Sequence, residues 1–254
     1  MTVRTITPIR INSRMVSRTW QRPRKPRGTQ FRPERKRSGT SAVGYADAAR
    51  FVLSLSPAPA IVMTALFYSG LRPIELFALE AADVDVEKRW LTVRSSKTGE
   101  PRGVPIHEFL VPLLKALVHR GDPLFRTPNN VAYPIFEGSG GQIKSAILGA
   151  RRRTGLTTIS PYTARHSVST QLVVAGVHPH VKDQILGHAA TDMSRRHTQV
   201  PQQPLIEAIN RLPVIDQWAV MPWMSEPAKY TRRRSPILAS SYVEPEWDNA
   251  ADAA

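Results

Sequence analysis

Apolar positions recur at helical spacing through most of this chain. Tyr45–Leu55 sets Ala48, Ala49, Val52 and Leu53 on one side of a helix. Pro59–Ser69 is more apolar throughout and predicts a second, buried helix that Gly70 ends. Pro73 suits the first turn of a third helix running to Leu79. The period then changes. Trp90-Leu91-Thr92-Val93-Arg94 alternates, Ser95–Gly99 is rich in turn formers, and Arg102–Ile106 returns as a second strand. Pro105 cannot donate to a ladder on both sides, so that strand belongs at an edge. Helical spacing resumes over Glu108–Val118, and residues 121–141 read as loop. Further helices are expected at Gln142–Arg153, Pro161–Ala175, Pro179–Leu186 and Pro204–Arg211, with Gly176 and Gly187 as stops. The pattern fades after Pro213. The expected fold is mainly α with a small antiparallel β-hairpin or sheet, an α+β arrangement.

Charge divides the chain. Residues 1–40 hold 12 Lys/Arg against one acid, Glu34, and so carry most of the net +15. Few of them can join a core, which predicts a disordered basic arm at 1–40. The arm reads as a phosphate-binding segment that orders on DNA, or as a solvated tail. An ordered domain is expected at 41–212 and an irregular tail at 213–254. The overall basicity points to a polyanion partner, with nucleic acid the commonest. There is no cysteine, so disulfides and thiolate metal sites are excluded. The longest apolar run, around Pro57–Tyr68, is too short to cross a bilayer. These features suggest a soluble cytoplasmic, nucleoid-associated protein without membrane contact.

Two strings carry candidate chemistry. The first is Ser69-Gly70-Leu71-Arg72-Pro73-Ile74-Glu75-Leu76. The second is Pro161–Val200, which holds Tyr162-Thr163-Ala164-Arg165-His166 and Leu186-Gly187-His188. Arg72 begins a helix, where positive charge opposes the macrodipole. That mismatch favours a functional arginine over a surface one, and Glu75 one turn later is either its orienting partner or a surface acid. Together these strings resemble the catalytic core of the tyrosine recombinases, the phage integrase family, across about two-thirds of the chain (Gly44–Leu212). The resemblance implies the recombinase catalytic-domain fold, a double-stranded DNA partner and a synaptic homo-tetramer. It implies site-specific recombination or integration through a covalent 3′-phosphoryl-enzyme link, with no metal and no cofactor. The alternative is a catalytically silent DNA-binding relative.

By the same resemblance Arg72 and Arg165 are the two phosphate-binding arginines. Arginine suits a five-coordinate phosphorane because it stays charged and offers a planar fork of donors. Lys97, at the hairpin tip, takes the place of the family's general acid, against the reading of an ordinary turn lysine. Tyr162 replaces the first histidine of the second arginine motif and can still donate to a phosphate oxygen. His188 follows Arg165 at the family's usual spacing and is expected to contact the phosphate. His166 is read as a packed structural histidine or a site neighbour. His197 stands where the family has its nucleophilic tyrosine, and no tyrosine lies between Tyr162 and Tyr230. Three readings follow: a silent relative, a histidine nucleophile, or a downstream tyrosine, Tyr230 or Tyr242, that substitutes. His178-Pro179-His180 lacks further ligands at metal spacing. Asp83 and Asp85 read as helix-exit caps rather than a metal pair.

Overall fold

The computed structural model describes residues 41–94, 101–135, 141–188 and 199–231. The basic arm, the hairpin tip with Lys97, the segment holding His197, and residues 232–254 with Tyr242 lie outside them.

Helix α2 (Pro57–Ser69) is the axis of the fold. Every residue from Pro59 to Ser69 is buried, which explains why its sequence shows no polar face. Helices α1 (Tyr45–Leu53) and α3 (Pro73–Phe77) flank it in sequence, and α6 (Pro161–Val174) packs along it. Helix α4 (Val111–Arg120) follows a short 3₁₀ turn, α5 (Lys144–Thr154) packs on α1, and α7 (Pro179–Leu186) packs on α6. Helix α8 (Gln202–Ile209) closes against α7 and the sheet.

The sheet has three antiparallel strands in sequence order: β1 (Val84–Asp85), β2 (Trp90–Val93) and β3 (Arg102–Pro105). Periodicity anticipates β2 and β3, with β3 at the edge; β1, two residues long, carries no detectable alternation. Leu91 pairs with Val104, and Val93 with Arg102. Leu91, Val93 and Val104 are buried on one face, and Arg102 shares that face by its two-residue offset from Val104. On the other face the Trp90 indole covers Gly103, where an added Cβ would lie 2.2 Å from the ring.

The end of the domain differs from the sequence expectation. Residues from Pro213 to Thr231 form three short helical turns, Asp216–Ala219, Pro222–Ser225 and Pro227–Thr231, and not an irregular tail. Trp218, Met221 and Trp223 are buried in the same core as α1 and α2. The Trp218 indole donates to the Tyr45 carbonyl at 2.9 Å, the Trp223 indole to Thr64 Oγ1 at 2.9 Å, and the Tyr68 hydroxyl to the Pro213 carbonyl at 3.0 Å. Single apolar anchors separated by turns leave no periodic trace, so pattern reading stops too early here.

His107 links this segment to the sheet. Its Nδ1 accepts from the Phe109 amide, so Nε2 carries the proton and donates to the Leu212 carbonyl at 3.2 Å. Burial, reinforced by Arg89, drops its pKa from 6.5 to about 4. The unfolded chain therefore takes a proton at higher pH than the folded one. This group leaves stability unchanged above pH about 6.5 and lowers it progressively as the pH falls towards 4, by about 3 kcal/mol in all. Urea unfolding across that range should show a steeper acid loss for the wild type than for His107→Gln; parallel curves would refute the assignment.

Candidate functional site

The site forms where the ends of α2, α7 and β3 meet α3 and α6. Gly70 ends α2 in the left-handed conformation (φ 65°), and an added Cβ would sit 2.7 Å from Leu186 Cδ2. Glycine therefore serves both the turn and the close approach of α7. Gly187 does the same at the end of α7 (φ 66°), where a Cβ would lie 2.1 Å from Arg102 Nε.

Three guanidinium groups converge on this junction. Arg165, buried on α6, donates through Nη1 to the Gly70 carbonyl at 2.8 Å and through Nη2 to the Leu186 carbonyl at 2.6 Å. Arg72 caps α3 and reaches Glu75 Oε1 at 2.8 Å and the Gly187 carbonyl at 3.5 Å. Arg102, on β3, reaches Glu75 Oε2 at 3.0 Å and the Leu186 carbonyl at 3.3 Å. Arg72 and Arg165 thus close on consecutive carbonyls of one turn.

Glu75 organises the cluster. Its side chain is 1% exposed and also accepts the Arg72 backbone N–H at 2.8 Å. A carboxylate in the first turn of α3 also suits the helix dipole and counters the adverse arginine. The sequence left Glu75 as partner or surface acid; the structure makes it a buried partner. Among the described residues, Glu75 is the one carboxylate that pairs with any of these cations, and it meets Arg72 and Arg102. Arg102 keeps Nε and Nη1 buried without a hydrogen bond. Burial, with Arg72 and Arg102 nearby, pulls the Arg165 pKa down to about 10, so it remains cationic at neutral pH. Burial likewise lowers that of Arg102, against the pull of Glu75. Excess positive charge held out of water is costly unless an anion meets it. The arrangement is suited to meeting negative charge.

The other expected residues are placed unequally. Tyr162 is half-buried three positions before Arg165, on the same face of α6, beside the guanidinium. His188 follows Gly187 directly and is partly exposed; its Nδ1 lies 3.1 Å from Asp183 Oδ1. His166 is exposed and does not pack in the core. His178 caps α7, accepting the His180 amide, and Asp83 accepts the Glu80 amide and pairs with Arg94. Lys97 and His197 lie outside the described residues. Tyr230 lines a separate cleft of about 410 Å³ with Ser56, Leu117 and Phe125, to which none of the cluster residues contributes. Sequence reasoning missed Arg102 and Asp183. Arg102 was detectable: strand parity puts a charge on the face that buries Val104. Asp183 offered no such signal, because its role depends on a turn.

Glu75→Gln keeps the shape of the side chain and removes its charge, leaving the buried Arg165 and the half-buried Arg72 and Arg102 without a carboxylate among them. Stability should fall by about 3 kcal/mol in urea unfolding. A loss below about 1 kcal/mol would show that Glu75 does not balance the cluster.

The phage integrase family model matches residues 53–203, which contain every element of this cluster. The chain is 27% identical over 162 residues to the tyrosine recombinase XerA of Pyrococcus furiosus, covering 61% of the chain and 55% of that protein. It is 31% identical over 153 residues to the tyrosine recombinase XerD of Mycobacterium tuberculosis, covering 58% and 49%. It spans about half the length of these relatives. Among solved structures, the integrase from mycobacterium phage Brujita superposes with a TM-score of 0.54 at 27% identity, over 74% of the chain and 64% of that structure. The mainly helical body and its three-stranded sheet agree with these matches: the chain belongs to the phage integrase family.

Proposed function

We propose that the chain binds duplex DNA, grips one phosphodiester between Arg72 and Arg165, and breaks and rejoins strands as a site-specific recombinase. The convergence of both guanidiniums on the Leu186–Gly187 turn carries this reading, since it brings two cationic forks of donors to one place. Negative charge grows on the non-bridging oxygens as phosphorus becomes five-coordinate. Preorganised donors, partly shielded from solvent, meet that charge without reorganising. Tyr162 adds a phenolic donor from the same helix face as Arg165. Lys97 would give its proton to the departing 5′ oxygen as the P–O bond breaks. The new bond to phosphorus comes from the nucleophile, whose position His197 occupies; with histidine the link is a phosphoramidate. The basic arm at 1–40 supplies sequence-independent phosphate contacts. Assembly as a synaptic tetramer belongs to the same reading.

A second reading, a DNA-binding relative without cleavage, is favoured by one observation. The sequence has no tyrosine between Tyr162 and Tyr230, and Tyr230 faces another cleft.

A nicked suicide duplex separates the two. The enzyme reading expects a denaturation-resistant adduct, reduced about 10²–10³-fold by Arg165→Lys, which keeps charge and loses the fork. Acid lability of the adduct and its loss in His197→Ala identify a phosphoramidate. An adduct that survives His197→Ala rules out the histidine, and duplex binding without any adduct establishes the silent relative.

A further inference from the structure

Asp183 holds His188 twice. Its carbonyl accepts the His188 backbone N–H at 2.9 Å, and its carboxylate lies 3.1 Å from the His188 Nδ1. The first contact fixes the turn that Gly187 makes possible, and the second fixes the ring. Burial works to raise the Asp183 pKa, but the hydrogen bond from His188 and the Lys182 ammonium at 3.1 Å prevail and lower it. Asp183 is therefore ionised at neutral pH and can only accept. Nδ1 must then be the donor, and the second ring nitrogen of a neutral His188 is left bare.

We propose that Asp183 is a positioning residue that locks His188 in the Nδ1-protonated tautomer, so that Nε2 is a proton acceptor in the free protein and meets a phosphate only after taking up a proton. The second half of this statement rests on the proposed function above; the first does not. Among the described residues, the groups that act on the imidazole are Asp183 and Lys182 from α7 and Arg165 from α6. Partial burial disfavours the imidazolium, and Arg165 and Lys182 repel it. Asp183 opposes them, and the balance lies below the ordinary histidine pKa. His188 is then neutral at neutral pH, and a neutral Nε2 has no proton to offer a phosphate oxygen. A phosphodiester seated against Arg165 cancels part of the repulsion and favours the imidazolium. Binding then draws in about one proton, and His188 becomes a donor to Asp183 and the phosphate together.

The test is two-bond ¹H–¹⁵N correlation spectroscopy of the full chain with ¹⁵N-histidine, His188 being assigned by the signal missing from His188→Gln. At neutral pH the free protein should show a protonated Nδ1 and a bare Nε2. The opposite tautomer, or an imidazolium above the ordinary histidine pKa, overturns the proposal. Asp183→Asn should release the preference towards a mixture of tautomers while the other histidine signals stay in place; an unchanged tautomer means that Asp183 does not set it. Adding a mixed-sequence duplex oligonucleotide should shift Nε2 to the protonated position. If the duplex binds and Nε2 stays bare, proton uptake is wrong. If the tautomer is as stated and the duplex does not bind, the DNA reading fails and the Asp183 assignment stands.

Discussion

The fold depends on an imbalance of charge around one buried carboxylate. Among the described residues, Glu75 meets Arg72 and Arg102, while Arg165 is held by backbone carbonyls. Among these residues, two guanidiniums' worth of charge stays unmatched by carboxylate in a largely buried cluster. Burying such charge opposes folding, so the surrounding elements must hold it. A rigid apolar axis, α2, ends at the site; two left-handed glycines let α7 approach; and α6 lies along the axis with Arg165 aimed at its end. Apart from the local Arg72–Glu75 pair, each of these contacts also joins two separate elements.

The same design explains the role of turns. Gly70 and Leu186 contribute carbonyls to Arg165, and Leu186 and Gly187 contribute carbonyls to Arg102 and Arg72. Helix C-termini have unpaired carbonyls, and cations are well placed there. The protein uses those carbonyls to orient the cationic groups and keeps further donor capacity for a ligand. An arginine anchored on one side can meet a phosphate on the other without first losing side-chain freedom.

Much of this was legible in the sequence, for reasons that can be stated residue by residue. Long amphipathic or wholly apolar runs located α1, α2, α6 and α7, and Gly70 and Gly187 marked their ends. The family resemblance singled out Arg72 and Arg165, and the structure brings both side chains to the Leu186–Gly187 turn. Other features were not legible. Strand β1 is too short to alternate. Trp218, Met221 and Trp223 are single anchors on short turns, so the core seemed to end at Leu212. Glu75 could be read as surface or partner because burial of one side chain depends on tertiary neighbours. Asp183 meets His188 only through the turn between them.

The central claim is that the arginine cluster holds excess positive charge for a single phosphate. Thermal unfolding in inorganic phosphate, against chloride at matched ionic strength, tests it most directly. A saturable rise in Tm is predicted for the wild type, following RT ln(1 + [L]/Kd), and a clearly smaller rise for Arg72→Gln. Equal shifts in both proteins, or no shift beyond that in chloride, would contradict it.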